Sequence, residues 1–343
     1  AMAIVALAGA AVIAVGAGRA GWVILLLLPV LAGWSGFATA IKPDMLALAF
    51  STIGLALSLS PVFLNMRARV GLAAACCAIA CGFKPTYLAA PLAIILTLPA
   101  VWQRWLFAGL YAALTAMIHG AGLLLGGAGY LTHALVYGST GFDFGADFLA
   151  MLMDFARNIA PVVLAIGVAS IGSQNGQGSG ESSDAGRLPR LPALYALFSL
   201  GNLLLLGKVG ANLNHCLEPA LAIVLLAGAL FSRVYAGESR ARWAAMLVLL
   251  ACVPLFGQRV AAPGALLQSK VNAADTHARL TELLAENPGP VLAAGYGAIA
   301  RIPGAELPII DLFTYTRAEQ RGARHGPDLA QPLRRCEFAL VLV

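Results

Sequence analysis

The stretch Gly207-Lys-Val-Gly-Ala-Asn-Leu-Asn-His-Cys-Leu-Glu-Pro219 sets Lys208, Asn212, Asn214, His215 and Glu218 between two apolar runs, 192–206 and 220–232. Only 11% of the chain is charged, so the cluster stands out. Ionisable groups at the edge of hydrocarbon are costly and usually mark a substrate path or a reacting centre. Two shorter stretches share this character: Ile41-Lys-Pro-Asp44 and Phe83-Lys-Pro-Thr86. Drawn together, Lys42, Lys84 and Lys208 with Asp44, His215 and Glu218 would line a polar chamber at one membrane face. Lysines there would hold a phosphate or pyrophosphate as point charges. A carboxylate, Asp44 or Glu218, would take a proton from a sugar or lipid hydroxyl. Cations would stabilise the charge that develops on a departing phosphate. That combination suits sugar transfer from a polyprenyl-phosphate donor.

Each stretch also has a plainer reading. Pro43 and Asp44 are what the first turn of a helix prefers, Pro for its fixed φ and Asp for the helix dipole. Lys84 could snorkel from an interfacial helix start. For 208–218 the plainer reading is weaker, because five polar groups in eleven residues exceed what a helix cap requires.

The elements that must position these residues are membrane spans. Of the 343 residues, 60% are hydrophobic and the mean hydropathy is +0.82, beyond the apolar share of an ordinary soluble domain. Ten apolar runs are legible: 1–17, 20–40, 44–60, 70–82, 86–101, 105–125, 158–171, 192–206, 216–232 and 243–257. The fold class expected is an all-α polytopic membrane protein of about ten transmembrane helices, with a small C-terminal α/β extracytoplasmic domain. Alternate connections collect nine basic residues, Arg19, Arg67, Arg69, Arg104, Arg187, Arg190, Arg233, Arg240 and Arg242, against Lys42, Lys84, Arg157 and Lys208 on the other side. Cytoplasmic connections gather Lys and Arg, so the arginine-rich side reads as cytoplasmic. Three of the chain's four lysines then lie outside, against that bias, as anion-holding groups would.

The domains expected are a transmembrane domain over 1–257, with a flexible cytoplasmic loop at 172–190, and an extracytoplasmic α/β domain over 258–343. The loop is Gly/Ser-rich and low in complexity, which reads as chemically silent. Residues 146–157 alternate apolar and charged positions and read as an amphipathic helix lying in the interface. Beyond 257 short apolar runs replace long ones. Strands are expected at 290–294, 307–311 and 338–343, with helices near 272–286, 296–302, 314–323 and 328–335. The tail carries neither a GxGxxG nor a Walker motif. The six cysteines show no zinc spacing and imply no disulfide framework, and no residues are read as metal ligands. The net charge of +6 follows membrane topology, and nucleic acid is not an expected partner.

At these motifs the chain resembles bacterial integral-membrane glycosyltransferases of the GT-C fold, of the dolichyl-phosphate-mannose mannosyltransferase and aminoarabinose-transferase type. The features that carry the resemblance run in order: Lys-Pro-Asp44 before one span, Lys-Pro-Thr86 before another, Gly207 to Pro219, and a tail ending in Phe338-Ala-Leu-Val-Leu342. It extends from about the second span to the end. It implies an inverting transfer from a polyprenyl-phosphate-linked sugar, with no bound cofactor, to an extracytoplasmic acceptor that is a lipid, a glycan or a protein. It places the chain in the bacterial inner membrane among membrane lipids. The donor-binding set it implies is Lys84, Lys208, Asn212, Asn214, His215 and Glu218, joined by Lys42. The resemblance also implies a catalytic Asp in a first outer loop. In this chain the corresponding carboxylate is Asp44, or it lies in a span and loop expected upstream of residue 1. The alternative function is a transporter or flippase for an anionic lipid or solute. That alternative calls for polar groups near the bilayer midplane in broken helices, whereas these polar groups head the connections at one face.

Overall fold

The computed structural model describes residues 43–59, 65–131, 141–174, 190–208 and 213–236, with short stretches between 278 and 342. The chain divides into two compact units, Ala1–Leu125 with Gly141–Pro263, and Gly126–Thr140 with Gly264–Val343.

In the first unit α1 spans Pro43–Leu59 and α2 spans Met66–Phe83. Pro43 has no backbone N–H to lose at a helix start, and Asp44 occupies the first turn. Asn65 caps α2 by accepting a hydrogen bond from the Ala68 N–H at 2.9 Å, as Asn does at this position. α1 and α2 are neighbours along their lengths. Their contact is lined by small residues, with Ala73, Ala74 and Cys77 buried and Gly54 opposite. A Cβ on Gly54 would stand 2.9 Å from Cys77 Sγ and 3.2 Å from the Ala73 carbonyl oxygen. Helices in lipid approach closely where small residues meet, since dispersion must supply the attraction. The alanines and cysteines of run 70–82 thus pack against a neighbouring helix.

α3 covers Ala89–Thr97. The run 86–101 was expected to be a span, but its helix has nine residues, about 14 Å of rise. Pro99 stops it, because the residue before a proline is pushed out of the α region; Leu98 is extended at ψ 127. α4 follows at Val101–Leu131. Its regular course breaks at Gly127, whose φ of +53 is a backbone state that glycine adopts without strain.

α5 runs without interruption over Ala146–Gln174, with Pro161 inside it. This corrects the expectation of a separate interfacial helix at 146–157. The physical reason is one continuous stripe: Phe148 and Met151 pack on the core, and Phe155, Ile159 and Val162 are buried. Spacing of three and four residues carries that stripe from the charged half into the apolar half.

α6 spans Arg190–Leu200 and passes directly into a 3-10 helix, Gly201–Gly207. A second 3-10 turn, Leu213–Cys216, leads into α7 at Leu217–Ala236. α7 packs against α5 and α6, and α6 against α3, around a core holding Leu217, Leu221, Val224, Tyr195, Ile94 and Phe107. Four stretches are long and apolar enough to cross a membrane: Met66–Phe83, Val101–Gly127, Arg190–Gly207 and Leu213–Leu230, with the shorter apolar α1 beside them. The described residues are therefore mainly helical, with four candidate membrane-spanning helices. The expected runs 1–17, 20–40 and 243–257 and the loop centred on 175–189 lie outside the described residues.

In the second unit β1, Val291–Ala293, pairs in parallel with β2, Leu340–Leu342, with Val291 opposite Leu340. Both fall within strands expected at 290–294 and 338–343. The expected strand at 307–311 and the helices at 296–302 and 314–323 lie outside the described residues, as does nearly all of 328–335.

Candidate functional site at one end of the helices

Asp44, in the first turn of α1, is 3% exposed. Its Oδ1 accepts from the Lys84 ammonium, forming an ion pair whose side chains are 5% and 14% exposed. The same oxygen accepts from Asn214 Nδ2 at 2.9 Å. The Asp44 backbone carbonyl accepts from the Tyr87 hydroxyl at 3.2 Å, and Lys84 Nζ lies 5.9 Å from the centre of the Tyr87 ring. Residues 40 and 170 positions away in the chain thus converge on one buried carboxylate.

Local structure explains how each group arrives. α2 ends at Phe83, and Lys84 is its extended C-cap, with the N–H bonded to the Ala80 carbonyl. The side chain therefore projects from the end of α2 towards the start of its neighbour α1. Asn214 and His215 lie in the 3-10 turn that opens α7. His215 is half-buried and within electrostatic reach of Lys84, Asp44 and Lys208. Lys208 caps the 3-10 helix Gly201–Gly207 and donates its N–H to the Leu205 carbonyl. Burial first, and then the Lys84 charge, hold the Lys208 ammonium below the usual lysine range. Of the expected site residues, Asp44, Lys84, Lys208, Asn214 and His215 share one neighbourhood. Lys42 and Asn212 lie outside the described residues.

Glu218 lies in the first turn of α7, one turn beyond Asn214, and is 1% exposed. Its Oε2 accepts from Asn202 Nδ2 at 2.5 Å. It also interacts with the buried Tyr195 hydroxyl, which in turn faces Ser51; the Tyr195 contacts lack regular hydrogen-bond geometry, and Glu218 Oε1 has no hydrogen-bond partner. Lys84 reaches Glu218 only through its longer-range field. Asn202, Tyr195, Ser51 and Tyr87 were not singled out from sequence. Asn202 had a readable signal: it is the only amide in the Leu-rich run 192–206.

A strap of residues before α5 leans on the lysine turn. Phe142 and Lys208 form an antiparallel bridge, and the Asp143 N–H donates to the Gly207 carbonyl at 2.6 Å. The Phe144 ring lies so close over Gly207 that a Cβ there would collide with it. Phe144 stacks on Phe142 at 5.8 Å and meets Phe148 edge-on at 5.0 Å. Gly207 is thus needed for a close approach and not for an unusual backbone angle. Gly207→Ala is expected to push Phe144 aside and cost about 1 kcal/mol in thermal unfolding. Adding Phe144→Ala should remove most of that penalty in a double-mutant cycle; strictly additive losses would mean that the ring and the glycine are not coupled.

Among the described residues no group of three or more His, Cys, Asp or Glu side chains is placed to hold a metal ion. Comparison of the chain with protein-family models, curated proteins and solved structures finds no match.

Proposed function

We propose that this protein is a membrane glycosyltransferase that moves a sugar from a polyprenyl-phosphate donor to an acceptor hydroxyl at one membrane face. The observation that carries the reading is the meeting of Asp44, Lys84 and Asn214, with Lys208 and His215 within their field. A buried carboxylate paired with one ammonium, and a second ammonium within electrostatic reach of the first, supply both halves of the chemistry. Lys84 and Lys208 hold the donor phosphate and stabilise its charge as it leaves. The acceptor oxygen bonds to the anomeric carbon while the carbon–oxygen bond to phosphate breaks. The phosphate keeps the electron pair and stays on its lipid. Asp44 binds Lys84 and Asn214 through Oδ1, and Oδ2 takes the acceptor proton. Asn214 and His215 orient the sugar. Glu218 acts as a positioning residue, holding the 3-10 segment that ends in Lys208 through Asn202. The reading also puts the protein in the bacterial inner membrane, with the site and the C-terminal unit outside the cytoplasm.

The test is release of polyprenyl phosphate from a polyprenyl-phosphate-linked sugar by the full chain in lipid vesicles. Wild-type protein should release it when acceptor is supplied, and Lys208→Ala should not. Equal release by both, at matched incorporation, would sink the assignment. The pH profile gives a second check. The charged form of Lys208 binds phosphate, so activity should fall as pH rises through its lowered pKa. Lys208→Arg stays protonated and should move that alkaline fall up by roughly one pH unit or more.

One observation favours transport instead. The helix α6 breaks into a 3-10 segment beside a buried carboxylate, Glu218, and broken helices with buried polar groups line the sites of carriers. The same vesicles separate the two readings: a carrier would move the intact lipid-linked sugar between leaflets and leave its glycosyl bond whole.

A further inference from the structure

About two turns along α1 from Asp44, three helices enclose a group of oxygens whose bonding is incomplete. Ser51 comes from α1, Tyr195 from α6 and Glu218 from α7, each no more than 1% exposed. Ser51 Oγ, the Tyr195 hydroxyl and Glu218 Oε1 are all buried without a hydrogen-bond partner. The Tyr195 hydroxyl faces both of the others. Buried polar groups are nearly always paired, and nearby hydroxyls follow that rule. Thr52 donates to the Leu48 carbonyl at 2.6 Å, and Ser199 to the Ala196 carbonyl at 2.9 Å. The Tyr87 hydroxyl is taken up by the Asp44 carbonyl. Three orphans facing one another therefore call for something that joins them.

The groups around Glu218 say what that is. The 3-10 segment supplies the Asn202 amide, which is spent on Oε2. α2 supplies the buried Cys77 thiol, and the turn after it Tyr87, both within the field of Glu218. On α5, Asp154 acts on Cys216 of the same turn. The Lys84 field also reaches Glu218, but that ammonium is bonded to Asp44. Among the described residues, then, the carboxyl group meets neutral neighbours and a cation already paired.

We infer that Glu218 binds a proton on Oε1 and stands in the folded protein as a neutral carboxylic acid that donates to the Tyr195 hydroxyl oxygen. Tyr195 then donates to Ser51, and the Ser51 hydrogen is left for a carbonyl of its own helix, as at Thr52. Each orphan oxygen gains a partner by this one addition. An ionised Glu218 would also accept from Tyr195, but it would hold a full charge in an apolar core. A buried acid without its own cation keeps its proton instead. With Glu218 neutral, Lys84 and Lys208 against Asp44 leave a net positive charge at that end of the helices, which serves a transferase and a carrier alike.

The test is infrared difference spectroscopy of the full chain in lipid vesicles at neutral pH. Wild type should show the carbonyl stretch of a protonated carboxylic acid, and Glu218→Gln should lose it. Tyr195→Phe should shift the band, because the acid loses its acceptor. Saturating sodium chloride should leave it in place. A wild-type spectrum without an acid band that Glu218→Gln removes overturns the proposal. So does a band unmoved by Tyr195→Phe, or one abolished by sodium, which would mark a cation site in place of a proton. If Glu218→Gln does not fold, Tyr195→Phe decides alone: a shifted acid band supports the bound proton, and an unmoved or missing one refutes it.

Discussion

Lys84→Met should destabilise the protein by about 3–5 kcal/mol, because it leaves a buried carboxylate without its cation. Asp44 and Lys84 are nearly enclosed, so water cannot take over the lost partner. The same substitution should abolish sugar transfer. Asp44→Asn added to Lys84→Met removes the stranded charge while keeping an acceptor for the Asn214 amide. Thermal unfolding of the double variant should return close to wild type, while transfer stays absent. The two readouts divide the possibilities. Wild-type stability in Lys84→Met would show that the pair does not hold the helix ends. Transfer restored in the double variant would show that neither charge takes part in the chemistry.

Glu218→Ala is the second substitution with a large expected effect. It strands the Asn202 amide and opens a void beside the buried Tyr195 in a filled core, for a cost of about 3 kcal/mol. Transfer should be lost along with stability. Glu218→Gln keeps an oxygen for the Asn202 amide and should retain both. The comparison decides the residue's role. A stable but inactive Glu218→Gln would mean that the carboxylate itself takes part in proton transfer, and that Asp44 is not the base.

Much of this site was readable because polar residues are rare in the chain. Lys84, Lys208, Asn214, His215 and Glu218 stood out against apolar neighbours, and the Pro43–Asp44 helix start followed from local preference. Their pairing was not readable. Lys84 and Asn214 reach Asp44 across 40 and 170 residues, and one sequence contains no local term that links such positions. Asp44 illustrates the point: the helix-start reading and the functional reading both describe it, since its backbone opens α1 while its carboxylate holds Lys84. The length of α5 was obscured by charge: Asp154 and Arg157 marked 146–157 as interfacial, while the stripe through Phe155, Ile159 and Val162 continued past them. For 86–101 apolar content overstated the helix, since Lys84-Pro-Thr86 and Pro99 take residues from both ends. The 3-10 form of 201–207 was hidden, because Leu203 to Leu206 are apolar at every position and show no period.

That 3-10 segment sets an angular phase. At three residues per turn, the six steps from Asn202 to Lys208 make two whole turns. The amide that grips Glu218 and the ammonium within reach of Lys84 therefore lie along one edge, about 12 Å apart in height. Wound as an α-helix, the same six steps would leave the two side chains about 120° out of phase. A single residue inserted between them would rotate Lys208 by a similar angle while leaving every apolar contact type intact. The stretch from 202 to 208 thus works as a spacer of set length, in which residue number matters more than residue identity.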